Sequence, residues 1–148
     1  MEFFVQPTSD GGYFNFEFNC GGAFLCNYIT DATRKPGGGW NAFERLPPET
    51  GRQVKVKSTL PPLVEPEITE PLDWAVQFFI PFAVLEKWTG PLGDVRGQHW
   101  RGNFYKCADE TSHPHWAAWS PVDKLNFHLP NCFGSLHFPA GPEPGKTK

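Results

Sequence analysis

The residues best suited to chemistry lie between Trp100 and Phe138. Trp-Arg-Gly-Asn-Phe-Tyr-Lys-Cys begins at Trp100, and His-Pro-His-Trp-Ala-Ala-Trp-Ser-Pro begins at His113. Asn-Phe-His-Leu-Pro-Asn-Cys-Phe-Gly-Ser-Leu-His-Phe then runs from Asn126 to Phe138. Flat rings beside amide, guanidinium and hydroxyl groups suit a sugar, whose apolar C–H faces stack on rings while its hydroxyl rim needs hydrogen-bond partners. On a strand, Arg101, Asn103 and Tyr105 share one parity and so one face. That face either reads a ligand or is simply solvated. Phe127, Trp119 and Trp116 are candidate stacking rings. A Trp before Ser-Pro serves equally well as a core plug, and Trp116 stands in a loop with His113 and His115. Glu2 either meets a ligand or forms a cross-strand ion pair.

Other chemistries fit less well. Cys107, His113 and His115 offer zinc-type ligands, but no second paired-ligand motif completes a tetrahedral set. Asp10, Asp31, Asp94 and Asp109 are scattered, whereas calcium needs several oxygens together. Gly37-Gly38-Gly39 lacks the following Gly-Lys-Ser/Thr of a phosphate loop, and no Gly-x-Ser-x-Gly elbow occurs. Glycosidases need two carboxylates held across one bond. Glu65, Glu67 and Glu70 lie in a Pro-rich stretch poorly suited to that geometry. The chain reads as non-catalytic.

The elements that position these residues are short and extended. Glu2 to Gln6 alternates, with Phe3 and Val5 on one side and Glu2, Phe4 and Gln6 on the other. Asp10-Gly11-Gly12 signals a turn. Tyr13 to Asn19 then sets Phe14, Phe16 and Phe18 toward the core against Tyr13, Asn15, Glu17 and Asn19, which face solvent or ligand. Strands are expected at 24–29, at 53–58 with Val54 and Val56 inward, at 72–80 and at 100–107, with a closing strand at 135–138. Residues 31–50 and the roughly 25 residues after Cys107 read as irregular loops, and 60–71 as an extended edge connection. Pro81 fits the first position of a short helix over 82–88, stopped by Gly90-Pro91.

The composition agrees. Among 148 residues, 16% are aromatic, with 14 Phe and 6 Trp, and there are 15 Gly and 16 Pro but one Met. Many rigid turns between aromatic segments imply an all-β antiparallel β-sandwich, jelly-roll-like, with one short helix. Residues 1–139 form one domain; 140–148 lack apolar residues beyond Ala140 and read as a disordered tail. A net charge of −3 without a basic block argues against nucleic acid. No run of 18 apolar residues offers a membrane span, and no export signal is visible. Cys20, Cys26, Cys107 and Cys132 show no Cys-x-x-Cys spacing and are either buried thiols or disulfide partners.

In order and spacing, these pieces resemble family 9 carbohydrate-binding modules and their bacterial family 9-like relatives. The resemblance rests on the strand at Glu2–Val5, Tyr-Phe-Asn-Phe-Glu-Phe-Asn at Tyr13–Asn19, and Ile80-Pro81. It continues through Asn103–Lys106, Trp119-Ser120-Pro121 and Phe133-Gly134, covering residues 2–138. It implies a module that grips ends of cellulose- or xylan-type chains between two aromatic side chains. It also implies an extracellular or periplasmic location, frequent structural calcium, and attachment to or partnership with a glycoside hydrolase in carbohydrate catabolism.

By the same resemblance, Glu2 matches the family's acidic residue and Tyr105 a polar reader of the sugar. Phe127, eight residues after Trp119, falls where the second sandwiching ring lies, usually a Trp in xylanase-attached members. Glu17 stands where those members carry a basic residue. The first sandwiching Trp would precede Glu2. Since Met1 to Val5 begins inside a strand, the sequence reads as lacking its N-terminal part. Rival readings are a structural sandwich pairing through an exposed edge, with the absent segment or as a homodimer, and an accessory piece of a glycoside hydrolase.

Overall fold

A computed structural model describes residues 1–141, so the expected tail falls outside the described residues from residue 142 onward. The chain forms β1 (Glu2–Gln6), β2 (Tyr13–Phe18), β3 (Phe24–Arg34), β4 (Trp40–Arg45), a single helical turn α1 (Pro48–Gly51) and β5 (Lys55–Ser58). It continues through β6 (Val76–Phe79), α2 (Phe82–Thr89), β7 (His99–Ala108), β8 (His115–Ala118), a 3-10 turn at Pro130–Cys132 and β9 (Gly134–His137). One antiparallel sheet of seven strands has the order β4-β3-β2-β1-β7-β8, with β9 sharing the outer edge of β7; β5 and β6 form a second, two-stranded sheet. The result is an all-β sandwich of unequal layers.

Period-two side-chain alternation gives the large sheet two faces. Val5, Phe14, Phe16, Phe18 and Trp100 point to one of them and are buried there with Val84 and Leu85 of α2, packed against Val56 and Phe78 of the small sheet. Stacked rings join the layers: Phe18 and Phe78 lie 4.5 Å apart with planes 7° from parallel. The opposite face is also covered, because the chain after β8 folds back over it. Phe4, Tyr13, Ile29, Trp40, Tyr105 and Phe133 form a second buried cluster there, flanked by Phe127. Phe14, Phe16 and Phe18 thus occupy the expected core side, with Phe3 and Val5 on the same face, while Phe4 and Tyr13 are buried on the other.

Several elements differ from the sequence expectation. Residues 31–50 are largely regular: β3 runs on to Arg34, through irregular register near Asp31, and pairs with β4. Neither segment alternates cleanly, so period alone could not reveal them. The loop after Cys107 contains β8, whose Ala117-Ala118 carries little pattern. Of 72–80 only Val76–Phe79 pairs, leaving Leu72 exposed. Phe104 lies on the face of Phe3, its cross-strand partner, and stacks on it at 4.8 Å. It remains 36% exposed, its outer neighbour being Trp119, which meets it edge-on.

Candidate functional site

Register fixes the floor of the second face. Glu17 is directly opposite Glu2, and Glu2 is opposite Tyr105, which is opposite Ala118. Leu25 extends this row beyond Glu17. Two residues along the strands, Arg45, Asn27, Asn15, Phe4 and Asn103 form a parallel row. Side chains of both rows rise on one face, and a cleft of about 660 Å³ opens above them. Its walls include Phe127, Trp116 and Trp40, and its polar lining includes Glu2, Glu17, Asn27, Arg34 and Arg45.

Tyr105 sets the height of the cleft. It is 1% exposed because Phe127 stacks on it at 4.2 Å and 14°. Its hydroxyl donates to the Phe127 carbonyl at 3.1 Å. Burial pushes the phenol up to about 12, so the hydroxyl stays a donor. His128 fixes the same loop: its Nδ1 lies 2.7 Å from the Tyr13 hydroxyl, and its ring lies 3.8 Å from Trp40 and 4.8 Å from Phe4. Burial, helped by Arg34, holds His128 down to about 3, so the imidazole is neutral. Burial pushes the Tyr13 phenol up, so Tyr13 donates and His128 accepts. Two aromatic hydroxyls therefore tie residues 127 and 128 to the sheet.

The acids differ from surface carboxylates. Burial, followed by the neighbouring Glu17, pushes Glu2 up to about 7. Burial also raises Glu17, opposed by the Asn15 amide, which donates to its Oε1 at 2.6 Å. Asn15 in turn accepts from the Asn27 backbone N–H at 3.1 Å and from Asn27 Nδ2 at 3.2 Å. Cys107 lies at this end of the cleft, its thiol pushed up to about 11 by burial and then by Glu2.

The structure brings Glu2, Glu17, Tyr105 and Phe127 together, with Tyr105 beneath the surface rather than at it. Arg101 and Trp119 lie elsewhere. The Arg101 guanidinium turns to the closing loop and donates to the carbonyls of Asn131 and Phe133 at 3.2 and 3.0 Å. Trp119 follows Phe104 in parity and packs on the opposite face of the sheet, edge-on to that ring at 6.0 Å. A Cβ at Gly134 would lie 2.7 Å from Trp119 Cζ3, so glycine there makes room for it. Asn103, wholly buried, donates to the Ser120 carbonyl and accepts from Ser120 N–H, clamping the Trp-Ser turn. Trp116, opposite Cys107, is the tryptophan of that segment that reaches the cleft, 44% exposed.

Sequence reasoning did not single out His128, Asn27, Arg34 or Arg45 for the site. His128 adjoins Phe127, a signal that was available. Asn27 depends on the register of β3 with β2, and Arg34 and Arg45 on the pairing of β3 with β4, a strand that no sequence period marks.

The metal candidates are dispersed. Among the described residues, no group of three or more His, Cys, Asp or Glu side chains is placed to hold a metal ion. Asp31 accepts from Asn41 and Thr33, and Asp94 pairs with Arg96. The four cysteines are free thiols, and no helix among the described residues is long and apolar enough to cross a membrane.

Comparison with known proteins follows the geometry. The model of carbohydrate-binding family 9 matches residues 1–138. The fold is similar to the crystal structure of a "putative carbohydrate-binding protein" from Bacteroides uniformis, with 32% identity, a TM-score of 0.71 and 93% of this chain covered. The chain spans 59% of that protein's length. A search of curated proteins finds no significant match.

Proposed function

The chain belongs to carbohydrate-binding family 9, and from that premise we propose that its cleft binds β-linked oligosaccharides of the glucan or xylan kind without transforming them. A pyranose lies with one face on Phe127, and Trp116 supplies a second aromatic wall. Glu2 and Glu17 meet hydroxyls from the floor. Tyr105 acts from below, as the platform that holds Phe127.

The observation that carries this reading is the position of Phe127. A half-buried ring, held parallel to a buried one at 4.2 Å, stands over the row that presents Glu2 and Glu17. An apolar plane beside hydrogen-bonding groups matches the two surfaces of a sugar. A few hydrogen bonds of about 1 kcal/mol each and a stacked ring of similar worth lead to micromolar to millimolar affinity. In keeping with the family, the module works as an accessory to a glycoside hydrolase outside the cytoplasm.

Isothermal titration with cello-, xylo- and chito-oligosaccharides tests the proposal. Saturable binding of at least one series supports it. Absence of binding to all three at millimolar sugar, by calorimetry and by amide shifts around Phe127, overturns it.

A further inference from the structure

The cleft has an imbalance of charge and of donors that narrows the sugar it takes. Glu2 and Glu17 are direct cross-strand partners on one face, on strands about 4.8 Å apart. Like charges so placed are unfavourable. No guanidinium or ammonium pairs with them at close range: among the described residues the one ion pair within 4.0 Å joins Arg96 to Asp94. Arg34 lies 3.5 Å over the Trp40 ring, and Arg45 stands beside Asn27 in the neighbouring row. At longer range the Met1 amino group acts on both acids, and Arg34 and Arg45 act on Glu17, while Asp109 adds to the load on Glu2. Burial first, and for Glu2 the neighbouring Glu17 as well, makes both acids resist ionisation.

The buried amides deepen the imbalance. Asn27 donates to Asn15, and Asn15 donates to Glu17, so the relay holds Glu17 as an acceptor. At its far end Asn27, 5% exposed and lining the same cleft, keeps an Oδ1 with no hydrogen-bond partner among the described residues. The floor at this point is rich in acceptors and poor in donors.

We propose that the Glu2–Glu17 pair makes this cleft select sugars bearing a protonated amino group, such as glucosamine oligomers, with Glu17 the specificity-determining residue. This rests on the carbohydrate reading above. An ammonium supplies three donors and a compensating charge, whereas a neutral hydroxyl leaves the carboxylates unpaired. Acetylation removes the charge, and an acidic sugar adds a repulsion. Ammonium entry ionises both carboxylates, so binding near neutral pH releases a proton.

The test titrates the chain with the glucosamine dimer, its diacetylated counterpart and cellobiose, at about pH 6, where such an amine is protonated, and at about pH 9, where it is not. At the lower pH the glucosamine dimer is expected to bind about tenfold or more tighter than cellobiose. That gap should close at the higher pH and in Glu17→Gln. Titration in buffers of differing ionisation enthalpy should show proton release with the amine only. A gap surviving Glu17→Gln would reveal general charge attraction and overturn the assignment. So would neutral or acetylated sugar binding as tightly at the lower pH, and this reading of wild-type protein stands even if the variant fails to fold. Binding of neutral sugars without amine preference defeats this inference alone; failure of every sugar defeats the underlying function.

Discussion

The Tyr105 ring lies parallel beneath that of Phe127, 4.2 Å between centroids and 14° between planes, and its hydroxyl donates to the Phe127 carbonyl. A buried ring thus supports an accessible one by both stacking and a hydrogen bond. The pair orients a surface that a sugar face can cover.

Two substitutions separate surface from support. Phe127→Ala should weaken oligosaccharide binding at least several-fold in calorimetry with the fold retained, since the ring is only half-buried. Tyr105→Phe keeps the stack but loses one buried hydrogen bond, and should cost about 1 kcal/mol in urea unfolding. Unchanged affinity in Phe127→Ala would remove that ring from the binding surface.

Trp116 and Trp119, three residues apart, face opposite ways. Trp116→Ala should lower affinity several-fold, because the ring walls the cleft. Trp119→Ala should leave affinity unchanged, because the ring packs against Phe104 and Gly134 on the other face. The reverse pattern in parallel titrations would place the site on the wrong side of the sheet.

Glu2 should make stability depend on pH in a defined sense. Its folded pKa is raised from 4.5 to about 7, so the folded state holds more protons than the unfolded state between those values. Its contribution is present below pH 4.5 and is lost as pH rises through 7. Denaturation profiles should therefore show Glu2→Gln gaining on the parent chain across that window, by at most about 1.4 kcal/mol per pH unit. Parallel profiles would contradict the burial and repulsion assigned to Glu2.

His128 acts with the opposite sign. Its folded pKa is lowered from 6.5 to about 3, so its contribution is present above 6.5 and is lost as pH falls toward 3. NMR of the imidazole should show a neutral ring, protonated at Nε2 and accepting at Nδ1, unchanged on acidification to about one unit above that folded value. Titration near its ordinary pKa would mean that the Tyr13–His128 bond does not hold the loop.

A buried amide offers a final check on the frame. Asn103→Ala removes the side chain that bonds both the N–H and the carbonyl of Ser120. It should destabilise the fold by about 1–3 kcal/mol, because buried backbone groups lose their partners. A change below a few tenths in urea unfolding would show the Trp-Ser turn to be held by other contacts.

By itself the sequence determined the class of fold and where most of its strands lie along the chain. Clean alternation at Tyr13–Phe18 has a local cause: side chains two apart share a face whatever surrounds them. The Pro81 helix start and the turn glycines are local for the same reason. Order and spacing of these pieces also carried the family.

The tertiary structure alone decided which polar face opens on a cleft and which residues line it. Arg101 and Tyr105 share parity, yet one turns to the Asn131 and Phe133 carbonyls while the other is sealed beneath Phe127. Parity names a face but not what covers it. Glu2 and Glu17 become neighbours only through the β1–β2 register, and Asn27 joins them through β3. Contacts across strands depend on hydrogen-bond register and on where long loops return, and neither is encoded in any window of neighbouring residues.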